Sequence, residues 1–212
     1  MRNIVKENTN SKSIIDNLVK FLTLDIDTSL IDVVDEPEKD ETISGDKLPS
    51  DVEAAINKLR KNYGLNITQK HIDKEFKQEG ETRKDVGGVN IEAQSEVLKL
   101  IKDCKNNYPN VNYPTSIVSG YRSYDQQVTN FGNKAKTRGI DDTQKANTLP
   151  GFSQHHTGKA FDIFSTEESW WDANPQIKKW VADNAKKYGF KVTYDKQGPL
   201  RIAEPWHLYY IG

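Results

Sequence analysis

Apolar residues recur along the chain first at helical spacing and later at strand spacing. Ile14, Ile15, Leu18, Val19 and Leu22 share one helical face, which predicts a short amphipathic helix near the N-terminus. Val52, Ala55, Ile56 and Leu59 form a second such face. Ser50 and Glu53 ahead of it have capping-box spacing, so a helix is expected from Ser50 until Gly64 stops it. Residues 68–78 carry a weaker pattern with Ile72 and Phe76 inward. After the Gly87-Gly88 break, residues 91–104 read as a stronger helix. Beyond Pro114 the period shortens. Residues 116–120 are β-branched and end in glycine, which predicts a strand. Residues 124–136 look helical, 138–151 loop-like, and 159–164 alternate as a strand. Asn174 and Pro175 open a helix with Ile177, Trp180, Val181 and Tyr188 inward, and Gly189 closes it. Residues 190–194, 200–203 and 206–211 read as strands, with a turn at Gly198-Pro199. Helices first and strands late predict an α+β fold with an antiparallel sheet.

Residues 32–46 are rich in Asp, Glu and Lys and include Pro37 and Gly45, the composition of an exposed linker. The chain therefore divides into an N-terminal amphipathic helix with an acidic linker, residues 1–48, and a main domain, residues 49–212. The 212 residues carry a net charge of −1, which argues against a general nucleic-acid binder. Residues 1–50 hold 11 acidic and 6 basic side chains, so the remainder is net +4. A mildly basic body suits an anionic polymer such as a cell wall, although a mixed solvated surface has the same composition.

The single cysteine, Cys104, sits in an apolar-periodic stretch and reads as a small core residue. No run approaches the ~20 apolar residues needed to span a bilayer. The best N-terminal apolar stretch, residues 14–26, is interrupted by Asp16, Lys20 and Asp25, so no clear signal peptide is expected.

Two segments carry candidate chemistry. Ser153-Gln154-His155-His156-Thr157-Gly158-Lys159-Ala160-Phe161-Asp162 places imidazoles and a carboxylate where a loop enters a strand, and Glu204-Pro205-Trp206-His207 lies near the C-terminus. Catalytic zinc sites use three protein ligands and keep a fourth position for water, with a nearby carboxylate to take that water's proton. Spacing alone does not decide between His155 and His156.

These segments resemble the signature of VanY-like D-alanyl-D-alanine carboxypeptidases, members of the LAS group of zinc peptidases. Ser119-Gly120-Tyr121-Arg122-Ser123 resembles the family's arginine-bearing strand end. Pro150-Gly151 and Tyr209-Tyr210-Ile211-Gly212 also fit, and the likeness covers residues 91–212. It implies a small antiparallel sheet carrying the zinc site, flanked by helices, with the N-terminal helix as an extension. It implies His155, Asp162 and His207 as ligands of one Zn2+ per chain and Glu204 as general base. Arg122 is implied as the cation that binds substrate and steadies the oxyanion, and Ser153 and Gln127 as substrate-binding residues. The implied partner is a peptidoglycan stem peptide, cut at a terminal D-alanine. An internal cut, as in lytic relatives, and a non-catalytic wall-binding module are the alternatives. The missing signal and the extra helix point to a phage lysis or virion-carried enzyme with a protein partner for the helix.

Four features depart from the pattern or strain it. Lys159 and Phe161 sit where relatives carry small or aliphatic residues. Leu208-Tyr209 replaces an aromatic-arginine pair, and Arg201 lies just upstream of Glu204 in an unfamiliar setting. Glu204 and His207 are three apart, so a regular strand would point them to opposite faces. Pro205 between them makes a local irregularity plausible. Trp170 and Trp171 read as packing residues, and Trp206 is expected to pack beside the metal.

Overall fold

The computed structural model of the chain describes residues 48–194 and 201–212. The predicted N-terminal helix, the acidic linker and the Gly198-Pro199 turn lie outside the described residues. The helices α1 (Ser50–Tyr63), α2 (Gln69–Glu79) and α3 (Ile91–Asn107) come first. β1 (Ile117–Ser119), α4 (Tyr124–Arg138) and the single turn α5 (Ile140–Thr143) follow. A 3-10 turn over Gln154–Thr157 leads into β2 (Ala160–Ile163), and α6 (Glu168–Ala173) and α7 (Pro175–Asn184) precede β3 (Phe190–Tyr194) and β4 (Glu204–Tyr210). The four strands form one antiparallel sheet in the order β1-β2-β4-β3, so the expected α+β class is what the chain adopts.

Local chemistry sets the boundaries. α1 ends at Gly64, whose φ of +65° is the left-handed conformation that favours glycine. The Ser50/Glu53 capping box does not form. Ser50 is already the first helical residue, and the Pro49 carbonyl accepts the Glu53 N–H at 2.9 Å. His71 caps its own helix, accepting the Thr68 N–H on Nδ1 at 3.0 Å. Residues 201–203 are not a strand. The reason lies in β4, which takes its irregularity at its N-terminal end and pairs with β3 only from Glu204 onward.

Two apolar clusters flank the chemistry. One joins α3 through Ala93, Val97, Leu100 and Cys104 to the sheet residues Phe161, Ile163 and Leu208, with Trp171 and Val181 beneath. Cys104 is fully buried there, and burial pushes its thiol up to about 11. The other joins Val52, Ile56 and Leu59 of α1 and Ile72 of α2 to Val128, Phe131, Leu149 and Phe152. β2 is buried on both faces. Phe161 and Ile163 enter the core and Asp162 faces the opposite side, so the alternation separates core from site rather than core from solvent. Among the described residues no helix is long and apolar enough to cross a membrane.

Candidate active site and metal centre

Sheet register brings the two motifs together. Asp162 on β2 lies directly opposite His207 on β4, and directly opposed residues share a face with Cβ atoms about 5 Å apart. His155 comes from the 3-10 turn before β2. Ser153 caps that turn by accepting the His155 N–H at 3.3 Å, and Gly158 ends it at φ +67°. A Cβ on Gly158 would run into the Gly88 carbonyl oxygen and stand 3.0 Å from Asn90 N. Glycine is therefore required both by its dihedral and by the close approach of another backbone.

The three side chains fit a zinc ion. One ligand atom from each of His155, Asp162 and His207 can be chosen so that all lie within 4.8 Å of one another. Asp162 Oδ2 is 3.3 Å from His155 Nε2, and Asp162 Oδ1 is 2.9 Å from His207 Nδ1. Atoms on ~2.1 Å bonds at a tetrahedral angle stand about 3.4 Å apart. The outer nitrogens fix the tautomers. His155 Nδ1 donates to the Gly120 carbonyl at 2.6 Å, leaving the Nε2 lone pair toward Asp162. His207 Nε2 donates to Gln154 Oε1 at 3.0 Å, leaving Nδ1 inward. Burial lowers the pKa of His207, although Asp162 works against it.

His156 has no nitrogen left for a metal. Its Nε2 accepts the Gly151 N–H at 3.0 Å, so its Nδ1 carries the proton and donates to the Arg122 carbonyl at 2.6 Å. Burial pushes its pKa down to about 4.

Glu204 and His207 line one cavity of about 510 Å³. Between the pairs Val192↔Leu208 and Tyr194↔Glu204, β4 spends two more residues than β3. This bulge contains Pro205, which has no N–H to lose from the ladder, and across it Glu204 and His207 line the same cavity despite their odd spacing. Burial pushes the Glu204 carboxyl up to about 7. Arg201 draws it back, while Asp162 and Glu79 add to the rise.

Arg122 lines the same cavity with Nη2 4.0 Å from Asp162 Oδ2. Its guanidinium donates to Gln127 Oε1 at 3.0 Å and Ser119 Oγ at 2.8 Å. Asp85 accepts from the Tyr121 hydroxyl at 2.6 Å and the Tyr124 N–H at 3.1 Å, bracketing the arginine turn. Ser153 also lines the cavity. Gln127 is fully buried and uses both ends of its amide, accepting from Arg122 and donating to the Thr148 carbonyl at 2.6 Å. Trp206 is buried against both cavity and core, Trp171 is core, and Trp170 donates to the Asn112 carbonyl at 3.1 Å.

The VanY family model, described as D-alanyl-D-alanine carboxypeptidase, matches residues 88–212. The chain belongs to the VanY family. Among curated relatives, YodJ of Bacillus subtilis (strain 168), provisionally named a carboxypeptidase, is 41% identical over 108 residues, 47% of this chain and 39% of that protein. A D-alanyl-D-alanine carboxypeptidase of Enterococcus faecium is 34% identical over 99 residues, 45% of this chain and 29% of that protein. The chain thus spans less than half the length of these two VanY-like relatives. Among solved structures, the LdcB LD-carboxypeptidase, described as revealing the basis of peptidoglycan recognition, is 29% identical with a TM-score of 0.51. That match covers 62% of this chain and 71% of that one.

Sequence reasoning missed four groups at this VanY-type site. Gln154 stands inside the first motif but carries no chemistry of its own. Lys134 is an exposed residue of α4 that lines the cavity and donates to Asn147 Oδ1 at 2.7 Å. Tyr194 lines the cavity from β3, and Glu79 of α2 stands behind it, accepting from its hydroxyl. Glu75 and Glu79 did leave a signal, because they continue the inward stripe of Ile72 and carboxylates on an apolar face are seldom placed there without a partner.

Proposed function

We propose that this chain is a zinc-dependent carboxypeptidase that removes a terminal D-alanine from peptidoglycan stem peptides. The observation that carries the proposal is the convergence on one cavity of His155, Asp162 and His207, with tautomers fixed from behind, and a buried Glu204 beside them. Family membership and the names of the relatives support the substrate class.

His155 Nε2, His207 Nδ1 and one Asp162 oxygen would hold a single zinc ion, which would supply Lewis acidity and lower the pKa of water at the site. Glu204 takes the proton of the attacking water on its carboxylate and delivers it to the leaving amine. A carboxyl near neutral pKa suits both halves of that transfer. Arg122 offers a fixed cation for the charge that develops on the carbonyl oxygen, and Gln127 and Ser119 hold it in place. Ser153 binds the peptide end. Lys134 and Arg138 line the same cavity, as do Glu167 and Glu168, and either cation can meet the free carboxylate of a C-terminal residue.

The test uses stem peptides ending in D-alanyl-D-alanine, the zinc-loaded protein and its Glu204→Gln variant, with products read by mass spectrometry. Loss of one terminal D-alanine by the wild type and none by the variant is expected. An internal cut would replace the reading with an endopeptidase. No product from a zinc-loaded wild type that still binds the wall would replace it with a binding module. We further propose residues 49–212 as the hydrolytic unit, with residues 1–48 serving delivery or assembly. Deleting 1–48 should leave hydrolysis unchanged.

A further inference from the structure

α2, which lies ahead of the family-matched region, meets the active site through the contact of Glu79 with Arg201. Arg201 lines the cavity, yet its side chain is only 11% exposed, and its Nη2 lies 3.5 Å from Glu204 Oε1. Its Nη1 lies 3.2 Å from Glu79 Oε1, and its guanidinium stacks over the Tyr194 ring at 4.1 Å. The Tyr194 hydroxyl donates to the other Glu79 oxygen at 2.5 Å. Glu79 is the last residue of α2, before residue 88 where the family match begins.

This geometry has a consequence for Glu204. A buried arginine needs a carboxylate, and two compete for this one. At 3.5 Å the contact with Glu204 is an ion pair too long for a good hydrogen bond. Glu204 therefore has a cation close by while its oxygens stay free to accept a proton from water. The Glu79 carboxylate, paired with Nη1 by charge and not by a hydrogen bond, and the Tyr194 ring hold the guanidinium at that distance. Without them Arg201 would be free to close on Glu204 and occupy those oxygens.

We propose that Glu79, Tyr194 and Arg201 form a clamp that positions Glu204, so that α2 is a working part of the active site. Arg201 and Glu79 are positioning residues, and the proposal rests on the reading of Glu204 as the base.

The experiment compares Arg201→Met, Arg201→Lys, Glu79→Gln and the Arg201→Met/Glu79→Gln double variant in the full chain. It measures kcat, KM, zinc per chain and thermal midpoint. Arg201→Met is expected to lower kcat roughly 100-fold, the scale of a misplaced catalytic group, with KM and zinc content close to wild type. Arg201→Lys should restore part of kcat. Glu79→Gln should lower kcat about 10-fold, and the double variant should be no worse than Arg201→Met alone, because coupled residues are not additive. Wild-type kcat in Arg201→Met or in Glu79→Gln would overturn the clamp, as would effects that multiply or kcat losses that track lost zinc. A zinc-loaded wild type without activity would instead overturn the reading of Glu204, and the clamp with it.

Discussion

Replacing Glu75 with glutamine should stabilise this protein at neutral and alkaline pH. Glu75 is fully buried on α2. Its Oε1 accepts from Gln144 Nε2 at 2.8 Å, while its Oε2 has no hydrogen-bond partner. Gln78 Oε1 and Gln144 Oε1 are likewise buried without a hydrogen-bond partner. Burial pushes its pKa from the ordinary 4.5 to about 8. The Gln144 bond opposes this, Glu79 adds to it and Arg201 opposes it again.

The sign follows from linkage. The folded state holds this proton more tightly than the unfolded state, so stability falls with rising pH wherever only the folded state keeps it. The contribution is fully present below about pH 4.5, declines above it, and is lost as pH passes through about 8. At ~1.4 kcal/mol per pKa unit, the loss at pH 7 relative to acid is about 3 kcal/mol. Relaxation around the buried group makes this an upper figure. Glutamine keeps the shape and removes the proton. Urea denaturation of wild type and Glu75→Gln at pH 5, 6, 7 and 8 isolates the effect, because other titrating groups cancel in the difference. The gap should widen steadily in favour of the variant from pH 5 to 8. Parallel curves, or a variant that loses ground at pH 8, would refute a neutral Glu75.

The remaining predictions concern the metal site. Gln154→Ala removes the acceptor behind His207 and should weaken zinc about 10- to 100-fold, the usual cost of losing such a partner, as read by chelator competition. His155→Ala should abolish stoichiometric zinc, whereas His156→Ala should keep zinc and lower the thermal midpoint, because His156 ties the Gly151 N–H to the Arg122 carbonyl. Metal analysis of the two purified variants separates them. Gly158→Ala should cost at least ~2 kcal/mol in urea denaturation, combining left-handed strain with a blocked approach to Gly88. A near-neutral result would show that the Gly88 loop yields easily.

How far the sequence could be read depended on the range of the interaction behind each feature. The motif residues were legible because short-range constraints hold them. Gly158 must be glycine at +67°, Ser153 must cap the turn, and Asp162 must follow on a strand. The choice of His155 over His156 rested on resemblance. Its physical reason, the Gly151 N–H on His156 Nε2, is a contact five residues away that no spacing rule reveals. The same-side placement of Glu204 and His207 depended on a break in the register of β4 against β3. Pro205 marked the place without giving the outcome.

Glu75 and Glu79 lay furthest from local logic. An amphipathic reading assigns carboxylates to solvent, yet here they occupy the buried stripe of α2 with Ile72. Burying two carboxylates costs several kcal/mol unless a proton or a cation answers each one. Glu75 is answered by its own proton, and Glu79 by Arg201 and the Tyr194 hydroxyl. A helix that only had to pack would do better with leucine at both positions. The cost of keeping Glu79 is therefore an argument from the fold itself that the end of α2 is shaped by the cavity it reaches through Arg201.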